Sequence, residues 1–366
     1  MKIERKNGIP VYRQISEDIH QRITQGEYPS GGMLPPESRL CSIYSVERAT
    51  VRRALALLVD AGLVSKIPGL GTMVLSPERK EERKPQNTVL FLLPKGKDNA
   101  DMTNEPFNAK LINVLDHECV EYGFSLLYKS LSQTDTAEGL IRLCNPCGVF
   151  IKSAMHEELC AELTRRGVPV VLLNQTHGEY ASISMDNRQG ARMVVDHLFS
   201  LGHRKIGYIG APIDHQTALA RLEGYQEVLS QNGIVICEQW IAVADWTMDS
   251  GKDAMRQILS TGDTPTAVFC ANDAMAIGAM NAIMDAGLSV PGDISVAGFD
   301  NIDQSSCIMP TLTTVAVDYQ IMARVAYMLL ADMIRRGSCD MKAGVYTPIQ
   351  LIIRQSTAAV NPSAGV

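Results

Sequence analysis

The stretch "LPPESRLCSIYSVERATVRRALALLVDAGLVSKIPGLGTMV", residues 34–74, decides how the front of the chain folds. Pro35 and Pro36 lead a short helical segment, because a helix accepts proline at its start, where the missing N–H has no partner to lose. After a turn, a second helical segment places Val51, Ala54, Leu55 and Leu58 on one face and ends near Gly62. Then "LVSKIPGLGTMVL" supplies two short β-like runs around a Pro/Gly turn, the pattern of a hairpin. Upstream, Val11, Ile15, Ile19 and Ile23 recur every four residues and form the stripe of one more helix, ending near Gly26. Three helices and a hairpin within about 70 residues make an α+β winged helix-turn-helix.

Charge is distributed unevenly. Residues 1–86 hold 14 Lys and Arg against 10 Asp and Glu, a balance of +4, while the rest holds 20 against 30, a balance of −10. A basic front on an acidic body suits a front that meets a polyanion. Arg48 and Arg52 lie four residues apart, so a helix places them on one face while Val51 and Leu55 turn inward. Guanidinium groups at that spacing reach guanine edges or phosphates in a major groove, although two arginines taken alone fit a solvated basic face.

Behind this front, "SPERKEERKPQ", residues 76–86, loses all hydrophobic periodicity and reads as a solvated linker. The expected organisation is therefore a DNA-binding domain over 1–75, a linker over 76–86 and a larger domain over 87–360. In the last, apolar runs such as "TVLFLLP", "VPVVLLN", "KIGYIG", "TAVFCAND" and "DISVAGFD" alternate with helical patterns, as in parallel sheets covered on both faces. About 275 residues exceed one ordinary sheet, which predicts two similar α/β lobes. The chain is 46% hydrophobic and 20% charged, enough to bury such cores. No apolar run reaches the length of a membrane helix and "MKIERKNGIP" is no signal peptide, so a cytoplasmic protein without a membrane partner is expected.

No nucleophile elbow, paired-histidine zinc motif, P-loop or strand-linked dinucleotide fingerprint occurs, and no catalytic residue, metal or cofactor is expected. The nine cysteines read as reduced thiols, and Cys144 and Cys147 form a CxxC with neither a second pair nor a histidine cluster. His197 and His203 read as helix-end and turn residues. Polar groups gather instead where α/β folds bind ligands, at strand C-termini: Asn174 after "VPVVLL", Asn272 and Asp273 after "TAVFCA", and Asp300 ending "VAGFD". Arg221 opens "RLEGYQEVL", and Trp246 offers an aromatic face. A carboxylate, an arginine and carboxamides together bond several hydroxyls, which is the chemistry of a sugar site; Asp and Asn after strands also cap helices.

Residues 34–74 closely resemble the GntR family signature, within a match that spans roughly 65 residues of the front domain. The resemblance implies that Arg48, Thr50 and Arg52 contact double-stranded operator DNA, with Arg39 nearby, and that Gly69 and Gly71 shape a wing entering the minor groove. Glycine there also permits positive φ. Two positions depart from the family: Ser38 and then Arg39 follow the motif's glutamate where an arginine is usual, and Glu47 stands where a hydroxyl is usual. A carboxylate there favours the helix N-terminus but repels phosphate.

Residues 87–358 resemble the sensor domain of the LacI/GalR family, through "SMDNRQGARMVVDHLFSLGHRKIGYIG", "PTAVFCANDAMAIGAMNAI", "VPGDISVAGFDN", "PTLTTVAVD" and "LIIRQST". That resemblance implies the type I periplasmic binding protein fold, two lobes closing over a ligand. It implies that Arg221, Asn272 and Asp300 bind sugar hydroxyls, that Trp246 stacks on the ring and that Tyr319 stands at the cleft. Asn174 falls where some relatives carry aspartate, and Thr217, Lys95 and Lys152 are further candidates. The joined head and sensor resemble the arabinose-responsive repressors. The expected protein is a homodimeric repressor of carbohydrate-utilisation genes, relieved by a small sugar; by resemblance "DQSSCIMP" around Cys307 contributes to the dimer interface, while its apolar residues equally fit the core. Other readings are a regulator sensing a nucleobase or sugar phosphate, a sugar-modifying enzyme fused to a DNA-binding head, and a transport-type binding protein.

Overall fold

A computed structural model describes residues 10–29, 32–61, 63–67, 71–74, 87–95, 101–132, 134–152, 157–213 and 215–360. The chain parts into two compact units, Met1–Pro85 and Gln86–Val366. The expected linker, residues 76–86, lies outside the described residues, as do Gly62 and Gly69.

In the first unit α1 (Val11–Thr24) buries Ile15, Ile19 and Ile23, the expected stripe. Helix α2 (Glu37–Tyr44) starts directly after Pro36 and stops at Ser45, whose left-handed backbone (φ 53°) turns the chain into α3 (Arg48–Asp60). The buried Asp18 carboxylate accepts from the Tyr44 hydroxyl at 2.7 Å and from Arg22 Nε at 2.9 Å, and so ties α1 to the end of α2. Strands β1 (Val64–Ile67) and β2 (Gly71–Val74) pair antiparallel, Val64 opposite Val74. Both of those valines close one core with Leu40, Val51, Ala54, Leu55 and Leu58, so that truncating Leu55 to alanine should cost about 2–5 kcal/mol.

The second unit holds two six-stranded sheets. One lobe orders its strands β13 (Gly344–Thr347), β7 (Ala181–Met185), β6 (Val170–Leu173), β5 (Gly148–Lys152), β3 (Thr88–Leu93) and β4 (Ser125–Ser130), all parallel. Helices α4 (Pro106–Glu121), α5 (Ala137–Cys144) and α6 (Glu157–Arg165) connect them. The other lobe orders β14 (Ile349–Ile352), β12 (Thr313–Val317), β11 (Ser295–Asp300), β10 (Ala267–Cys270), β8 (Ile206–Gly210) and β9 (Ile241–Val243). Its helices are α7 (Asn187–Ser200), α8 (Gln216–Gln231), α9 (Met248–Leu259) and α10 (Asp273–Asp285). The expected parallel pairing holds with one exception: β14 runs antiparallel to β12, because the chain returns from the first lobe by a short connection after β13.

The chain crosses between lobes three times: from β7 to α7, from β12 to α11 (Tyr319–Arg336), and from β13 to β14. Helix α11 follows a strand of the second lobe yet packs on α4, β5, β6 and β7 of the first. Two crossings use the same device. Asp186 caps α7 by accepting from Gln189 N, and Asp318 caps α11 by accepting from Ile321 N, each at 2.9 Å. Close packing within the second lobe depends on small residues. A Cβ on Gly278 would stand 1.9 Å from the Met248 carbonyl, and one on Gly251 2.4 Å from the Met275 backbone, so α9 and α10 approach backbone to backbone. The "LIIRQST" tail begins in β14 beside β12 and then reaches β11, where Val296 N donates to Ser356 O at 2.8 Å.

Candidate functional site

In the first unit the polar face of α3 carries the predicted DNA contacts. Arg48 is its first residue and Arg52 lies one turn on; both side chains are exposed, 67% and 58%, while Thr50 is half-buried. Glu37, at the first turn of α2, accepts from Arg48 Nε at 2.7 Å and from Arg52 Nε at 3.0 Å. The bond from Arg48, reinforced by Arg52 and opposed by burial, holds the Glu37 carboxyl below its ordinary range. Exposed pairs of this kind contribute about 1 kcal/mol or less, so the value of Glu37 is orientation. Among the described residues each guanidinium is bonded through Nε, which leaves its Nη nitrogens for another partner. The role of Glu37 escapes a sequence reading because it depends on α2 crossing α3, eleven residues away.

Arg39 is exposed on α2. Gly71 has φ 126°, and a Cβ there would meet Met33 Cε at 2.9 Å, so the wing strand needs glycine at this place. Glu47 is the N-cap of α3, but its side chain accepts no cap hydrogen bond and remains exposed.

In the second unit Arg221, Asp300, Trp246, Tyr319 and Lys152, of the predicted groups, come together near strand C-termini. Arg221 is 2% exposed and Asp300 4%. Helix α8 begins at Gln216, so Arg221 lies in its second turn rather than opening it as the sequence suggested. Its Nη2 donates to Asp300 Oδ1 at 3.1 Å, its Nε to Asn187 Oδ1 at 2.9 Å, and its Nη1 to the Ala271 carbonyl. The guanidinium carbon lies 3.7 Å from the centre of the Phe299 ring and 5.8 Å from that of Trp246. The sequence pattern does not single out Asn187, Ala271 or Phe299, although Asn187 belongs to the "SMDNRQGA" motif.

Asp300 has φ 105° and Asn301 φ 51°, two consecutive left-handed residues that aim the carboxylate back at Arg221. Asp273, fully buried, holds this turn by accepting from Ile302 N at 2.9 Å and from the Thr314 hydroxyl at 2.5 Å. The phenol of Tyr319, at the start of α11, donates to the Asp300 carbonyl at 3.1 Å, and its ring packs on Phe107 of α4 at 5.3 Å. From the first lobe, Lys152 at the end of β5 bonds Asn108 Oδ1 and lies 4.5 Å over the Phe107 ring.

Burial pushes Asp300 up to about 6; Arg221 and Lys152 pull it down, and Glu105 at the head of α4 pushes it up. Burial likewise holds the Lys152 ammonium below its ordinary value, against the attraction of Glu105 and Asp300. Burial and the charge of Asp300 hold Asp273 well above the carboxylate range.

The other predicted residues are placed differently. Asn272 is committed to structure: its Oδ1 caps α10 by accepting from Met275 N at 2.9 Å, and its Nδ2 donates to the Trp246 carbonyl at 3.0 Å. It therefore sets the left-handed Trp246 backbone (φ 73°) and with it the ring. Asn174 is left-handed as well (φ 56°), with Oδ1 buried and without a partner among the described residues. Thr217 is half-buried in the first turn of α8, and Lys95 is exposed, its charge felt by Asp101 and Asp135 rather than Asp300. His203 bonds Thr266 Oγ1 and the Ala358 carbonyl, and His197 bonds Thr357 Oγ1, so both fasten the tail. Burial pushes Cys147 up to about 11 and raises Cys144, the opposite of a reactive thiolate.

Residues 11–74 match the gntR family of bacterial regulatory proteins, and residues 195–357 match the periplasmic binding protein-like domain. The transcriptional repressor CytR of Escherichia coli K12 is 32% identical over 289 residues, 77% of this chain and 82% of that protein. The chain belongs to the LacI/GalR family. PurR of Proteus mirabilis is 29% identical over 275 residues, 71% of this chain and 78% of that protein. Among solved structures, the CelR–cellobiose complex matches with a TM-score of 0.67 at 26% identity, covering 87% of this chain and 94% of that one. The lac repressor dimer bound to operator and the anti-inducer ONPF matches with a TM-score of 0.66 at 26% identity, covering 76% and 96%. This LacI/GalR-type sensor is joined to a GntR-type head, and the protein is a DNA-binding transcriptional regulator rather than an enzyme. No described helix is long and apolar enough to cross a membrane.

Proposed function

We propose that the protein is a homodimeric repressor of carbohydrate-utilisation genes whose two heads read a near-palindromic operator through Arg48, Thr50 and Arg52. A small sugar bound between the lobes relieves repression. The observation that carries this reading is the buried Arg221–Asp300 pair at the interlobe cleft, with Trp246 beside it and Lys152 and Tyr319 reaching it from the other side.

A carboxylate and a guanidinium fixed side by side present acceptors and donors to vicinal hydroxyls, and an aromatic face covers C–H groups. Arg221 and Lys152 balance Asp300 and Glu105, so the four charges sum to zero and suit an uncharged ligand. Asn174 offers an acceptor with no partner among the described residues. The cellobiose complex of CelR, and a LacI-family regulator of Enterococcus faecium with bound ribose that matches with a TM-score of 0.67 at 26% identity, support a sugar over a nucleobase.

The test combines thermal shift with a panel of monosaccharides and anisotropy on DNA selected from a randomised pool. A sugar that raises the melting temperature and lowers DNA affinity is expected, because a ligand bound only by the folded state stabilises it. A panel without effect on either would overturn the sugar reading. Sedimentation at micromolar concentration checks the dimer.

A further inference from the structure

We propose that the Tyr208 hydroxyl is a further effector-binding group, exchanging a hydrogen bond with a sugar hydroxyl beside Arg221. The proposal rests on the reading of the interlobe cleft as a sugar site.

Tyr208 is the third residue of β8 and only 2% exposed. Its ring stacks on Tyr225 of α8, centroids 5.0 Å apart at 23°, and leans on Phe269 at 5.5 Å. These two tyrosines share one core but differ in a decisive respect. The Tyr225 hydroxyl donates to the Ile206 carbonyl at 2.8 Å, whereas the Tyr208 hydroxyl is buried with no partner among the described residues. A phenol in an apolar core is normally satisfied or replaced by phenylalanine, because a stranded hydroxyl is costly.

The direction of the ring explains the exception. Gly210 follows two residues on, on the same face of β8, and a Cβ there would stand 2.4 Å from the Tyr208 ring and 3.2 Å from its hydroxyl oxygen. The ring therefore lies forward over Gly210, toward the C-terminal edge of the strand, and Gly210 is glycine to admit it. That edge is the floor of the cleft. Tyr208 pairs with Phe269 and Ile209 with Cys270 across β8 and β10, so Gly210 stands level with Ala271, whose carbonyl anchors Arg221 Nη1. Arg221 and Tyr225 lie one turn apart on the same face of α8, which places the guanidinium on the Tyr208 side of the sheet. The charge of Arg221 reaches the phenol and partly offsets the strong upward push of burial on it. Tyr208 is as buried as Arg221 and Asp300, so its burial is that of the whole site with the lobes in this arrangement.

A phenol both donates and accepts, so it suits a hydroxyl of the ligand. A site built to bond a hydroxyl discriminates strongly against analogues that lack it.

The experiment compares the native chain with Tyr208→Phe, which keeps the ring and its stacking. Melting temperature is read without sugar and with ribose, arabinose, xylose, glucose and galactose, and titration calorimetry follows for any sugar that shifts the native chain. The expected result is a Tyr208→Phe melting temperature equal to or above the native value without sugar, together with affinity for the responding sugar weakened about tenfold, one neutral hydrogen bond. A lowered melting temperature without sugar would show that the hydroxyl is already bonded inside the fold, and would overturn the proposal. Unchanged sugar affinity would overturn it too. If none of the five sugars shifts the native chain, the sugar reading itself fails and the role of Tyr208 toward a sugar falls with it; loss of binding in Asp300→Asn but not in Tyr208→Phe would sink only the role of Tyr208.

Discussion

Arg221 Nη2 and Asp300 Oδ1 are 3.1 Å apart, and both side chains are almost wholly excluded from solvent. Removing one partner of such a pair leaves a buried charge alone, which costs about 3–5 kcal/mol. Arg221→Ala and Asp300→Ala should therefore destabilise the sensor as well as abolish its response. Urea unfolding followed by tryptophan fluorescence measures this, since Trp240 and Trp246 both lie in the second unit. Asp300→Asn, which still accepts from Arg221, should keep most of the stability and lose sugar binding. Alanine variants as stable as the native chain would mean that the pair is open to water.

Much of this arrangement is legible in the sequence, for a physical reason. Strands buried on both faces appear as continuous apolar runs, and the polar residue that ends such a run stands at the cleft, which is how Asn174 and Asp300 announce themselves. The commitments of those side chains are not legible. Asn272 caps α10 and holds Trp246 at once, because a left-handed tryptophan leaves its carbonyl facing the cap. Glu37 clasps two arginines only because α2 crosses α3 at their level. Tyr319 is close in sequence to neither Asp300 nor Phe107, and meets both because α11 begins at a lobe crossing.

Asp300 also dictates a dependence on pH. Its folded value, about 6, lies above the ordinary 3.8, with Arg221, Lys152, Glu105, Asp273 and Tyr319 as the charged or titratable groups around it. A raised carboxyl favours the protonated fold, so its contribution is fully present below about pH 4 and is lost as pH rises through about 6. The shift corresponds to roughly 3 kcal/mol at most. The native chain should thus lose melting temperature relative to Asp300→Asn between pH 4 and 7. Sugar affinity should move oppositely, falling below pH 6 as the carboxylate loses its charge. Parallel melting curves for the two chains would contradict both expectations.

The clasp on the recognition helix predicts a graded effect on DNA. Arg48→Ala and Arg52→Ala should each cost about 1–3 kcal/mol of operator binding if they read bases, and less on random DNA. Glu37→Gln weakens the clasp without removing a DNA contact. It should lower operator affinity several-fold, raise affinity for random DNA as one negative charge disappears, and so narrow the ratio between them. Anisotropy on both DNAs at fixed salt gives that ratio; an unchanged ratio would leave Glu37 a merely structural ion-pair partner.

Glu47 occupies the N-cap of the same helix without using its side chain there, and it is exposed. A carboxylate at this end favours the helix dipole by a few tenths of a kcal/mol but repels an approaching phosphate. Glu47→Ser supplies a capping hydroxyl and removes the charge. It should leave the melting temperature within about 2 °C, since the gain of a cap offsets the lost dipole interaction. DNA affinity should rise, and more so at low salt. No change with salt would place the carboxylate away from the DNA backbone.

Among the described residues, Gln216 and Lys110 make polar contacts that join the lobes outside the buried site. The Gln216 carboxamide, opening α8, accepts from Thr176 N at 2.9 Å and donates to the Thr176 carbonyl at 3.2 Å, while Lys110 of α4 meets Asp303 at 2.8 Å. Both are solvent-facing, so each contributes on the order of 1 kcal/mol or less. Together they bias closure by an amount that matters only near balance, where 1.4 kcal/mol is a tenfold change in population. If the closed arrangement is the one that holds sugar, Gln216→Ala combined with Lys110→Ala should weaken affinity by up to about tenfold and enlarge the radius of gyration of the sugar-free protein in X-ray scattering. Weakened affinity with an unchanged radius would place these side chains in direct ligand contact, and an unchanged affinity would mean that closure is decided inside the cleft, by Tyr319 and Lys152 against Asp300.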